Sequence, residues 1–201
     1  MDKPNSWKRG ILARMSSPLA RSRTKNAIFY FASNTRACGK VKLFKLLYLL
    51  DFEHFRQTGR SVTGYEYEAW KFGPVPADLM EEWESPEDDL REFVAIRPEL
   101  VINHVRETVV PLPGVEFDES DFTPRQCQIM AELAERYRDT LSGQLIDVTH
   151  AQNGAWDRVW AGGAGRQESI PYELALPDNF PHREAILDSA AEHKAFARAH
   201  A

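Results

Sequence analysis

A single stretch, Val41 to about Gln57, constrains the fold of this chain more than any other. Leu43, Leu46, Leu47 and Leu50 form one stripe at i, i+3, i+4, i+7 spacing, and Phe44, Tyr48, Phe52 and Phe55 form a second. A helix apolar on that much of its circumference is covered on several sides, so it predicts the central helix of a small core. Gly59 is placed to end it, because glycine enters the left-handed geometry of a helix C-terminus without a Cβ penalty. The alternation Tyr65, Tyr67, Ala69 then predicts a strand over 64–72, closed by Trp70-Lys71-Phe72-Gly73-Pro74-Val75-Pro76.

Period-two geometry assigns the side chains of that strand. Trp70 and Phe72 share a face and are expected in the core. Tyr65, Tyr67 and Lys71 fall on the outer face, where aromatics are enriched at interfaces. With Lys45 and Arg56 on the water side of the helix, these are the candidate partner-binding residues.

The rest of the chain reads as short helices around a little β structure. Thr24 is expected to cap a helix reaching about Thr35, and Pro76 to begin one carrying Leu79, Met80 and Trp83. Stretches near Phe93–Ile96 and Val105–Leu112 predict a hairpin, or partners for the 64–72 strand. Thr123-Pro124 is a strong helix start, with Ile129, Leu133 and Tyr137 on one face. Ser142 is expected to cap a further helix. Gly162-Gly163-Ala164-Gly165 reads as a flexible connection, and Pro181–Ala201 as a helix with a thin apolar stripe. The fold class is mainly α (α+β), a compact helical domain with a small antiparallel sheet or hairpin. Residues 1–19 are expected to be a flexible leader, 20–162 the domain, and 163–201 a linker plus a C-terminal helix packing on it.

Composition narrows the function. No apolar run reaches the ~20 residues of a membrane span, and Cys38 and Cys127 have neither CxxC nor metal-ligand spacing. A reduced, cytoplasmic protein is expected. Residues 1–60 hold thirteen Lys and Arg against Asp2, Asp51 and Glu53, a net +10. The whole chain is −5, so residues 61–201 carry −15. Such asymmetry fits nucleic acid, an acidic partner or contact between the halves, but no helix-turn-helix or RNA-reading signature accompanies it.

Catalytic and metal chemistry find no constellation here. Asp51 and His54 are i, i+3 neighbours expected as a surface pair, without the three or four convergent ligands a metal needs. His150 has no nucleophile or carboxylate relay beside it and reads as a structural corner with Trp156. The glycines at 162–165 lack the strand and helix of a phosphate loop. Neither enzyme activity, cofactor nor metal is expected.

Three blocks carry a family resemblance: Lys42, Leu43, Lys45, Leu46, Leu47, Tyr48 and Asp51; then Trp70, Phe72, Gly73, Pro74 and Val75; then His150 and Trp156. Together they resemble the Panacea domain, the SocA-like antitoxin family of bacteria and phages. The resemblance implies a helical domain with a small sheet, and an antitoxin that neutralises a cognate protein toxin by direct contact or as an adaptor delivering it to a protease. The second reading is a phage- or plasmid-associated DNA-binding regulator that uses the basic N-terminal third.

Overall fold

The computed structural model describes residues 18–101 and 104–199, with only the backbone of His104. The expected leader therefore lies almost wholly outside the described residues. The fold is mainly helical, with two separate two-stranded antiparallel sheets.

Helix α1 (Pro18–Asn34) is followed by α2 (Lys40–Thr58), the central helix predicted from the two stripes. Leu43, Leu46, Leu47 and Leu50 are all fully buried, and Phe44, Tyr48, Phe52 and Phe55 nearly so. Gly59 ends α2 in the left-handed region, φ +74°, its N–H donating to Phe55 O. A Cβ there would also overlap the Ile186 carbonyl of the last helix, so packing as well as φ demands glycine. Leu47→Ala removes packed methyls from a site with no route to solvent. We expect it to cost about 3 kcal/mol of stability, read as a shift in urea midpoint at unchanged slope. An unshifted midpoint would mean that α2 is not the core.

Strands β1 (Tyr67–Trp70) and β2 (Gly73–Pro76) form a hairpin joined by Lys71 and Phe72, with Trp70 opposite Gly73. The expected single strand is thus two, and its faces are reversed. Tyr67 and Ala69 point inward, because their side of β1 rests on Tyr48 and Phe52 of α2, with ring centroids 5.4 and 5.9 Å from Tyr67. Trp70 is only half-buried, and Phe72, carried past the strand end by the turn, is 61% exposed.

After α3 (Ala77–Glu82) and α4 (Asp88–Arg91), β3 (Val94–Val101) and β4 (His104–Pro111) form the second hairpin. It pairs with itself rather than with β1. Its base is tied to the α1–α2 connection by Val109 N–H donating to Cys38 O at 2.8 Å. Helix α5 (Pro124–Arg136) starts as expected: Thr123 accepts from Gln126 N–H while the Gln126 side chain accepts from Thr123 N–H. Two positions differ by local geometry. Thr24 lies buried inside α1 instead of capping it, and Leu141, not Ser142, precedes α6 (Ser142–Thr149) as its cap residue.

Helix α7 (Ala155–Trp160) leads into Gly162–Gly165. This segment is wound tightly: Gly165 N–H donates to Trp160 O, and a Cβ on Gly165 would overlap the Val159 carbonyl oxygen. Residues 167–170 then run along the free edge of β1, with Ile170 N–H donating to Tyr67 O at 2.7 Å and Ala69 N–H to Glu168 O at 2.9 Å. Ile170 and Leu176 are buried. Helix α8 (Arg183–Ala199) lies across the C-terminal end of α2, where Ser189 Oγ reaches Thr58 O.

Candidate functional site

Helix α2 buries four polar side chains among its leucines and aromatics, and all four bond backbone groups outside the helix. Lys42, fully buried, donates from Nζ to Arg36 O (2.8 Å) and Arg138 O (3.0 Å), joining the turn before α2 to the end of α5. Lys45, 2% exposed, donates to Pro74 O at 2.7 Å. It passes directly under Gly73, where a Cβ would lie 2.8 Å from Lys45 Nζ and 3.0 Å from Thr149 Oγ1. Gly73, at φ +96°, is required twice over: by its backbone angle and by the lysine beneath it. Burial lowers the Lys45 ammonium to a pKa of about 7.

Asp51, with no exposure, is the hub of the loop that follows α2. Its carboxylate accepts from Val62 N–H (2.7 Å), Thr63 N–H (2.8 Å), the Thr63 hydroxyl and Tyr67 Oη (2.8 Å), with Tyr172 Oη at 3.5 Å. Burial pushes its pKa up and these donors oppose the shift. Tyr172 Oη also donates to Tyr65 O at 2.6 Å, so the segment after α7 closes over the same hub. His54, 5% exposed, bonds Arg60 O through Nδ1 at 2.6 Å.

These positions correct the sequence reading. Lys45, Tyr65 and Tyr67, expected on the surface, are buried at 2%, 7% and 1% exposure. Asp51 and His54 are interior groups rather than a surface pair. The face of α2 that carries Lys42, Lys45, Asp51 and His54 is covered by other elements, so the charges on it must pair inside. Arg56 and Lys71 are exposed as expected.

The corner predicted at His150 and Trp156 is present. Their rings stack at 3.6 Å with a 2° interplanar angle, and Trp160 stacks on Trp156 at 5.5 Å. Trp156 Nε1 donates to Trp70 O at 3.0 Å, fixing this corner to the end of β1. The residues of all three sequence blocks therefore meet around one hairpin: Lys45 holds Pro74 from below while Trp156 holds Trp70 from the side.

Beside this framework lies a cleft of about 460 Å³ between the solvent side of α2, α5 and the 174–177 segment. Leu49, Phe52, Ile129 and Leu133 form its apolar floor, while Glu53, Arg56, Glu132 and Arg136 supply charges of both signs. Arg56 also sits over the Phe180 ring at 5.0 Å. An acidic trio elsewhere, Glu82, Glu87 and Asp89, has metal-like spacing. Arg21 occupies it instead, bonding Glu82 at 2.7 Å and Asp89 at 2.6 Å and holding Asp89 down to a pKa of about 2. No helix among the described residues is long and apolar enough to cross a membrane.

No solved structure matches the chain significantly. The chain is 33% identical over 129 residues to the antitoxin SocA of Caulobacter vibrioides (strain NA1000 / CB15N), covering 62% of this chain and 61% of that protein. It thus spans about three fifths of the relative's length. The family described as antitoxin SocA-like, Panacea domain, matches residues 43–157. That span runs from the leucine stripe of α2 through the Trp156 corner, and contains Lys45, Asp51, the Gly73-Pro74 turn and His150 as one packed unit. The chain belongs to the antitoxin SocA-like, Panacea domain family.

Proposed function

We infer that this protein is an antitoxin that neutralises a cognate protein toxin by direct contact. The single observation that carries the reading is family membership over residues 43–157, reinforced by a relative named as an antitoxin. The residues agree with it. The buried polar groups of α2 are engaged with backbone and with one another's loops, as a binding scaffold requires, and the exposed features are a mixed groove and an aromatic turn.

The contact surface is the α2–α5 groove. Its apolar floor and alternating charged rim suit an amphipathic segment of a protein partner, with Arg56 and Arg136 as anchors of the kind that dominate interfaces. Lys71, exposed beside Phe72 at the hairpin turn with Nζ 5.5 Å from its ring centroid, extends the surface. Lys45, Tyr65 and Tyr67 act behind it by holding the hairpin and loop in place. Occlusion of the toxin and its delivery to a protease both begin with this contact.

Co-expression with its cognate toxin tests the reading. The wild type should restore growth, and Arg56→Glu with Arg136→Glu should abolish rescue while leaving the urea midpoint nearly unchanged, because both residues are exposed. Full rescue by the folded double variant would remove the groove from the interface. Absence of rescue by the wild type would remove the antitoxin reading itself.

A further inference from the structure

A second cleft, of about 760 Å³, opens where α1, the end of α2, the start of α5 and helix α8 converge, and it shares no lining residue with the α2–α5 groove. Arg23 comes from α1, His54 from α2, Arg60 from the loop after it, Arg125 from the first turn of α5, and His193 from α8. Among the described residues no aspartate or glutamate lines it. In a chain whose net charge is −5, a concave site with three guanidinium groups, two imidazoles and no carboxylate is a local reversal of sign.

The cations there are available. Arg23 donates from Nε to the Asp121 backbone oxygen at 2.6 Å, and no ion pair within 4 Å is recorded for Arg23, Arg60 or Arg125 among the described residues. His54 forms part of the cleft wall among these arginines. The residue is 5% exposed, and its Nδ1–H donates to Arg60 O at 2.6 Å, which fixes the ring in the wall of the cleft. Arg125, Arg23 and Arg60 all act on that imidazole as positive charges, lowering its pKa beyond the effect of burial. Three guanidinium groups with no carboxylate beside them among the described residues are what an anion would satisfy.

We propose that this cleft binds a small phosphate-bearing anion, held by the guanidinium forks of Arg23, Arg60 and Arg125 with His193 beside it. Guanidinium groups match phosphate oxygens in a bidentate fashion, and three from separate elements can surround a tetrahedral anion. The size lies in the range of small-molecule sites. Because the cleft joins α8 to α1, α2 and α5, an anion seated there fastens the C-terminal helix to the body. The proposal stands apart from toxin binding.

Inorganic pyrophosphate, titrated into the full chain at low ionic strength, is the test. Calorimetry should find a saturable 1:1 site, and the thermal midpoint should rise with ligand as mass action requires. Arg60→Ala with Arg125→Ala, both at exposed positions, should weaken binding at least tenfold without lowering the ligand-free midpoint. Arg91→Ala with Arg97→Ala, exposed elsewhere, should leave affinity unchanged. Equal losses in the two double variants, or no binding by the wild type at millimolar pyrophosphate, would overturn the site. A 20-base-pair duplex or a glutamate-rich peptide that binds the same arginines more tightly than pyrophosphate would overturn its assignment to a small phosphoanion.

Discussion

Replacing Asp51 with alanine is expected to lower the stability of this protein by about 3–5 kcal/mol, the range seen when one member of a buried charged network is removed. The substitution does more than open a cavity. It leaves two backbone N–H groups, at Val62 and Thr63, and the Thr63 and Tyr67 hydroxyls without their acceptor in a region closed to water. Asp51→Asn separates shape from acceptor capacity. The amide keeps one oxygen but turns an NH₂ toward a donor, so it should also destabilise, by less than alanine. The check is urea unfolding of the three proteins at pH 7. A loss below about 1 kcal/mol for Asp51→Ala would mean that the loop finds other acceptors and Asp51 is no hub. Proteolysis should follow, with cleavage near 60–66 appearing in both variants before the helices open.

Stability is expected to rise by about 2–3 kcal/mol between pH 7 and pH 9, and Lys45→Met should remove most of that rise. The folded Lys45 has its pKa lowered from 10.5 to about 7 by burial. Across that window the unfolded chain therefore binds a proton that the folded chain does not, and raising the pH favours the fold. Neighbouring titrations leave the window open. His54 and His150 are shifted below 6.5 and titrate mainly at lower pH. Cys38, pushed up from 9.0 to about 11, begins to oppose the effect between about pH 8 and pH 9 as the unfolded thiol ionises, and does so fully only above that. Lys42 is also lowered by burial and contributes with the same sign, so a small slope should persist in the variant. Urea midpoints of both proteins at pH 7 and pH 9 decide it. Parallel pH dependence would place the Lys45 titration outside this range.

Much of the framework was legible because its signals are local. The two apolar stripes of α2, Gly59 as its terminator, and Thr123-Pro124 at the start of α5 each depend on a few adjacent residues. The His150–Trp156 corner was readable for the same reason. The candidate site was read less well, and the errors share one cause. Lys45 is expected on the water side of α2 with Arg56, but it falls on the covered face, where the neighbouring leucines and aromatics leave a charge no route to solvent. Tyr65 and Tyr67 were assigned outward from correct alternation with the wrong face, since period two fixes which residues are together and not which side is inside. Phe72 was counted on the strand when Lys71 and Phe72 make the turn.

Sequence alone determined the central helix, the mainly helical class with a small antiparallel component, and the family blocks, because periodicity, caps and turn residues act over a few positions. Tertiary structure alone decided what the polar residues of α2 reach. Lys42 finds the carbonyl of Arg138, 96 residues away, and Asp51 meets Tyr172, 121 residues away. It also decided that residues 167–176 complete the core, and that Arg23, Arg60, Arg125 and His193 share one cleft. A buried charge announces only that it needs a partner; which backbone supplies that partner is set by how the helices cross, and no local pattern encodes it.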